Sequence, residues 1–98
     1  MRIVILKGFF DEEKERNEEE LINLETDIKS EVSKIGHVIK LELFKDNPKG
    51  IMKIKFDKSS DAEWCIKLMN DWIYDGNKIQ AFHWDGVTDY KWVWESDD

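Results

Sequence analysis

Basic charge, cysteine and long apolar runs are all scarce in this chain, and each shortage removes a class of function. Fifteen lysines and arginines stand against 22 aspartates and glutamates, a formal net charge of −7, which repels a polyanion and suits a basic partner. The single cysteine, Cys65, cannot close an internal disulfide. With only His37 and His83 beside it the soft ligands of a zinc site are missing, so no metal is expected. No stretch approaches the roughly 20 apolar residues of a membrane span, and no membrane partner is expected. The opening apolar run, Ile3 to Leu6, is too short for a signal peptide, which gives the expectation of a soluble intracellular protein or a piece of one. A glycine-rich phosphate loop is absent, and neither histidine has a nucleophile at motif spacing. The chain is therefore expected to be neither an enzyme nor the holder of a cofactor.

What is present alternates between periods of two and 3.6. Ile3 to Lys7 reads as a strand with Val4 and Leu6 on one face and Ile3, Ile5 and Lys7 on the other. Residues 11–20 hold seven acids against two bases, a solvated loop leading into a helix. That helix is expected from about Glu19 to Ile35, with Leu21, Leu24, Ile28, Val32 and Ile35 as its buried stripe and Gly36 as a left-handed stop. A strand from Val38 to Phe44, a turn over 46–50 around Pro48, and a strand ending at Phe56 form a hairpin; Met52, Ile54 and Phe56 point inward. A second helix should open with a capping box of Ser60 and Glu63 and bury Ala62, Cys65, Ile66 and Met69. Lys78 to Trp84 supplies the last strand. The order βαββαβ predicts an α+β, ferredoxin-like fold, a four-stranded antiparallel sheet with both helices on one face. Residues 1–90 form the domain and 91–98 a C-terminal extension. The other sheet face should lie open, showing Ile3, Ile5, Lys7, Lys40, Glu42, Phe44, Ile51, Lys53 and Lys55.

The third strand, Lys49-Gly50-Ile51-Met52-Lys53-Ile54-Lys55-Phe56, resembles the ribonucleoprotein motif of RNA-recognition domains at its first two positions and its last. Its two stacking places hold Ile51 and Lys53. The partner motif, Val4-Ile5-Leu6-Lys7-Gly8-Phe9, has Ile5 in place of the ring. Each lost ring removes about 1–3 kcal/mol of base stacking, so RNA is not the expected ligand of this sheet. The alternative ligand surface is a reduced RNA contact through Phe44, Lys53 and Lys55.

Three further stretches resemble the U2 auxiliary factor homology motif (UHM), an RNA-recognition fold that binds peptides. They are Val4-Ile5-Leu6-Lys7-Gly8-Phe9-Phe10, Asp27-Ile28-Lys29-Ser30-Glu31-Val32-Ser33-Lys34-Ile35-Gly36, and Phe82-His83-Trp84-Asp85-Gly86-Val87-Thr88-Asp89-Tyr90. The resemblance implies a tryptophan-containing basic peptide whose indole enters a pocket between the helices while its basic residues meet acids on the first helix. Glu20, Asp27 and Glu31 match those acids, and ordinary helix solvation is the other reading of them. The family's Arg-x-Phe triplet falls on Trp72-Ile73-Tyr74, so an aromatic wall is kept at Tyr74 and the arginine is lost at Trp72. That loss should leave Asp27 and Glu31 freer for ligand cations, or unpaired. The other reading of Trp72 and Tyr74 is that they cap the second helix. The resemblance further implies a nuclear role in pre-mRNA splicing, assisting assembly or remodelling of the U2 snRNP through a motif on a splicing factor 3b or 3a subunit. Tyr90-Lys91-Trp92-Val93-Trp94 alternates like a short strand, and either folds back over the sheet or docks elsewhere.

Overall fold

The computed structural model describes residues 1–11 and 14–91. Four strands, β1 (Ile3–Lys7), β2 (Val38–Phe44), β3 (Ile51–Phe56) and β6 (Gln80–His83), form an antiparallel sheet in the order β2-β3-β1-β6. Helices α1 (Glu18–Ser33) and α2 (Ser59–Met69) pack on one side. A two-stranded hairpin, β4 (Ile73–Tyr74) and β5 (Asn77–Lys78), joins α2 to β6. The expected ferredoxin-like order is therefore present with one added hairpin.

Both helix boundaries differ from expectation at the caps. Asn17 starts α1: its Oδ1 accepts the Glu20 N–H at 2.8 Å, and Glu20 Oε1 accepts the Asn17 N–H at 3.0 Å. This reciprocal box satisfies two otherwise orphaned donors, and Glu18, Glu19 and Glu20 lie in the turn where negative charge is favoured. The helix ends with Lys34 still right-handed. Gly36 does not adopt the left-handed stop; it is needed because a Cβ there would collide with the Asp61 side chain. The Ser60/Glu63 box does not form either. Helix α2 begins two residues earlier, capped at Lys58 without a side-chain bond, so Ser60 lies inside it.

The main core fills the space between sheet and helices. Val4, Leu6, Met52, Ile54 and Phe56 from the sheet meet Ile28 and Val32 of α1 and Ala62, Cys65 and Met69 of α2. Cys65 is fully buried and its thiol is pushed up to about 12 by that burial, so it packs as an apolar side chain. The expected faces of β1, β2 and β3 hold throughout.

The opposite sheet face is not open. Ile5 and Ile51 are buried and Phe44 is only 6% exposed; Phe82, on β6 of the same face, and Trp84 and Tyr90 pack against this cluster. Tyr90 folds back onto β2, its ring 6.0 Å from Phe44, and Asn47 Nδ2 donates to the Tyr90 carbonyl at 3.1 Å. Trp92 to Trp94, the rest of the alternating run, lie outside the described residues, as does most of the 91–98 extension.

Candidate functional site

The site residues are positioned by the hairpin after α2. Tyr74-Asp75-Gly76-Asn77 makes its turn with Asp75 at φ 50° and Gly76 at φ 82°, the left-handed pair that an Asp-Gly dipeptide supports between two strands. This dipeptide signals a hairpin in the sequence, and it is why Lys78, expected in the last strand, belongs to β5. Backbone bonds from Asp71 N–H to the Ile79 carbonyl (2.8 Å) and from Ile79 N–H to the Trp72 carbonyl (2.7 Å) tie the hairpin to buried Ile79.

The hairpin presents two rings as a wall. Tyr74 lies edge-on to Phe9 at 5.7 Å and tilted against Trp72 at 5.3 Å, arrangements favoured by ring quadrupoles. On the Tyr74 side a cleft of about 440 Å³ opens between the N-terminal half of α1, the loop after β1 and the hairpin. Phe9, Phe10, Leu21, Leu24 and Tyr74 give it apolar walls. Asp11, Glu15, Glu20, Asp27 and Asp75 surround it with acid, against Lys14 and Arg16. The Arg16 guanidinium lies 3.9 Å over the Phe10 ring. Tyr74 Oη donates to Asp27 Oδ2 at 2.9 Å. Burial first, then that bond and the charges of Asp27 and Asp75, push the Tyr74 phenol up to about 12, since each penalises a phenolate.

On the Trp72 side a groove of about 300 Å³ runs between the C-terminal ends of the helices. Ile35, Trp64, Leu68, Met69 and Trp72 line it, with Glu31 and Lys34 at its edge. Trp64 and Leu68, one helical turn apart on α2, are about half exposed.

Of the six residues expected to bind peptide, Glu20, Asp27 and Tyr74 share the cleft, while Glu31 and Trp72 share the groove. Ile73 lines neither and points to solvent at 59% exposure. Of the two alternatives for Asp27 and Glu31, the one that leaves them unpaired is corrected. Asp27 holds the Tyr74 hydroxyl, Glu31 pairs with Lys34 at 3.4 Å, and one Glu20 oxygen serves the helix cap. The reduced RNA contact fares differently. Phe44 is covered by Tyr90, Lys53 Nζ sits 3.5 Å over the Trp84 ring, and Lys55 is half-buried. Reasoning from sequence missed Phe9 and Phe10 as cleft walls, Trp64 and Leu68 as groove walls, Phe82 as a ring on the outer sheet face and Trp84 as part of its cover. The four-residue spacing of Trp64 and Leu68 on α2 carried some signal, and the alternating aromatics from Tyr90 onward carried some for the cover.

The segment after β6 is knotted by one carboxylate. Asp85 Oδ1 accepts the N–H groups of Val87 (2.9 Å) and Thr88 (2.8 Å), and Oδ2 accepts the Thr88 hydroxyl. These bonds, the hydroxyl's foremost, hold the Asp85 carboxyl down at about 2. Trp84 Nε1 donates to the Thr88 carbonyl at 2.9 Å, which turns the strand end back toward the sheet.

Comparison with known proteins follows this geometry. A model of the RNA recognition motif family matches residues 24–80. The 17S U2 SnRNP complex component HTATSF1 of Homo sapiens is 33% identical over 91 residues, covering 92% of this chain and 12% of the relative. Its Mus musculus counterpart is 34% identical over the same shares. The chain thus spans 12% of the length of the curated relatives it matches. Among solved structures, Pes4 RRM3 superposes with a TM-score of 0.63 at 18% identity, covering 91% of this chain and 98% of that one. The Mip6 RRM3 domain gives 0.64 at 11% identity, over 84% and 90%. These two show the shared fold.

Proposed function

The chain belongs to the RNA recognition motif family, a family of binding modules, and from that premise we propose that it is a UHM-type member that binds a basic, tryptophan-containing peptide. The observation that carries this reading is the Trp72–Tyr74 ring pair standing between an acidic cleft and an apolar groove on the helix side of the domain. The ligand tryptophan enters the interhelical groove against Trp72, Trp64 and Leu68. Its basic residues lie along α1 toward Glu31, Asp27 and Glu20, with Tyr74 as the wall between. Desolvation of the indole supplies most of the affinity, whereas each exposed acid contributes about 0–1 kcal/mol and mainly steers association. Similarity to a 17S U2 SnRNP component supports a nuclear partner in pre-mRNA splicing, a U2 snRNP protein such as a splicing factor 3b or 3a subunit, with this domain assisting assembly or remodelling of the particle.

Isothermal titration with a short basic peptide containing one tryptophan, beside the same peptide with alanine, tests the reading. Micromolar or tighter binding that vanishes with the alanine peptide is the expected result. Equal binding of both peptides, or of neither, contradicts it.

A further inference from the structure

The cleft beside Tyr74 already holds a cation of its own. Arg16 lies half-buried in it, its guanidinium 3.9 Å over the Phe10 ring, where the ring quadrupole attracts positive charge. A bond from Arg16 Nη1 to the Lys14 carbonyl at 3.1 Å is its other hold, and among the described residues Arg16 makes no ion pair. A guanidinium held by a ring and one neutral carbonyl gives way to another that reaches the ring and a carboxylate together, because charge-assisted bonds are the stronger.

The walls around Arg16 are fixed by the fold. Phe10 is backed by the turn at Gly50, where even a Cβ would strike its ring. Asn77 Nδ2 donates to the Phe9 carbonyl at 3.1 Å and ties the β4–β5 hairpin to the loop after β1. The Asn17 box sets the start of α1 directly after Arg16. A site held in this way does not have to be ordered by its ligand. Its volume, about 440 Å³, falls among those of ligand pockets, about 300–1,000 Å³. Leu21, Leu24 and Tyr74 line it with apolar surface, while Glu20 and Asp27 each commit one oxygen inside the fold and keep a second that accepts.

Apolar walls beside acids fit a side chain with an apolar stem and a charged tip. Of the two that qualify, the ring favours arginine, whose planar, weakly hydrated guanidinium stacks on an aromatic face where an ammonium stays hydrated. We propose that this cleft is an arginine pocket, which takes a partner peptide's guanidinium onto Phe10 beside Asp27 and Glu20, and that Arg16 is its built-in occupant, displaced by the ligand. The inference rests on the peptide reading for the source of the cation, and it adds a second anchor on the far side of Tyr74 from the tryptophan groove.

The test needs no tryptophan. N-acetyl-arginine amide and N-acetyl-lysine amide are titrated at low salt into the 98-residue chain and its Arg16→Ala and Lys14→Ala variants, with the ring protons of Phe10 and Tyr74 followed by NMR. Lys14 lines the same cleft, so its loss removes equal charge and leaves Arg16 on the ring. The inference expects saturable shifts at both rings, with arginine amide bound at least fivefold tighter by Arg16→Ala than by the parent. Lys14→Ala should change that affinity less than twofold, and lysine amide should bind Arg16→Ala at least fivefold more weakly than arginine amide does. Far-ultraviolet circular dichroism confirms folding, and Arg16→Gln serves if Arg16→Ala unfolds. Absence of ring shifts in a folded variant overturns the pocket. Equal gains in Arg16→Ala and Lys14→Ala overturn the built-in occupant, and equal affinity for the two amides overturns the preference for arginine. The tryptophan titration reads the groove on the other side of Tyr74, so failure there and failure here are separate results.

Discussion

Tyr74 joins more of the candidate site than any other side chain: it meets Phe9 and Trp72 with its ring and Asp27 with its hydroxyl. Tyr74→Ala should weaken the tryptophan peptide by about 2 kcal/mol or more, the behaviour of a central aromatic anchor. Tyr74→Phe keeps the ring and should cost about 1 kcal/mol or less, the net value of one hydrogen bond. Titration of both variants separates wall from hydroxyl. The phenol also sets an alkaline limit. Its folded value lies above that of an unfolded tyrosine, so its contribution to stability is complete below about pH 10 and is lost as the pH rises toward 12. Denaturant midpoints across that window should fall less in Tyr74→Phe than in the parent. Trp72→Arg restores the family triplet. It should tighten the peptide complex if Trp72 has relaxed the site, and weaken it if the Trp72 indole itself contacts the ligand.

Among the elements, the β4–β5 hairpin and the segment after β6 carry what distinguishes this domain. Gly50 and Gly76 both have positive φ, at 68° and 82°, in different surroundings. A Cβ at Gly76 meets nothing within 4 Å, whereas one at Gly50 meets the Phe10 backbone nitrogen and ring. Gly76→Ala should therefore cost about 1–2 kcal/mol of conformational strain. Gly50→Ala should add about 1–3 kcal/mol of overpacking to that, and equal losses in urea unfolding would count against the placement of Phe10. The turn after β6 has an acid limit. The Asp85 carboxyl is held below its unfolded value, so its bonds stabilise that turn above about pH 4 and are lost as the pH falls toward 2. Trp84 indole exchange should quicken over that interval while the core amides of Val4 and Leu6 stay protected. The main elements were legible in the sequence because Val4/Leu6, Met52/Ile54/Phe56 and Ile28/Val32 repeat at strand and helix periods. The caps were not, because Asn17 and Ser60 are both competent N-cap types, and only Asn17 caps a helix. The segment after β6 was half legible: its alternating aromatics suggested a fold-back, but the Asp85 bonds to Val87 and Thr88 pair a side chain with backbone in a way no period records.

At the scale of the molecule, the helix side of the sheet offers acid beside apolar space, and the outer side holds Ile5, Phe44 and Ile51 packed against Phe82, Trp84 and Tyr90. Peptide binding should weaken with salt only modestly, because exposed acid–base pairs contribute little and the indole is indifferent to screening. Asp27→Lys and Glu31→Lys should each weaken it, more at low salt than at high. The three-in-cleft, two-in-groove division of the expected residues was hidden from the sequence, since helical spacing puts Glu20, Asp27 and Glu31 on one face and cannot show the hairpin rings that part them. The most direct test of the account is an amide and indole chemical-shift map of the labelled domain titrated with the basic tryptophan peptide. The account predicts that the shifts concentrate at Asp27, Glu31, Trp64, Leu68, Trp72 and Tyr74 and leave Ile5, Lys53 and Phe82 in place; shifts concentrated on those three sheet residues, with the hairpin silent, would contradict it.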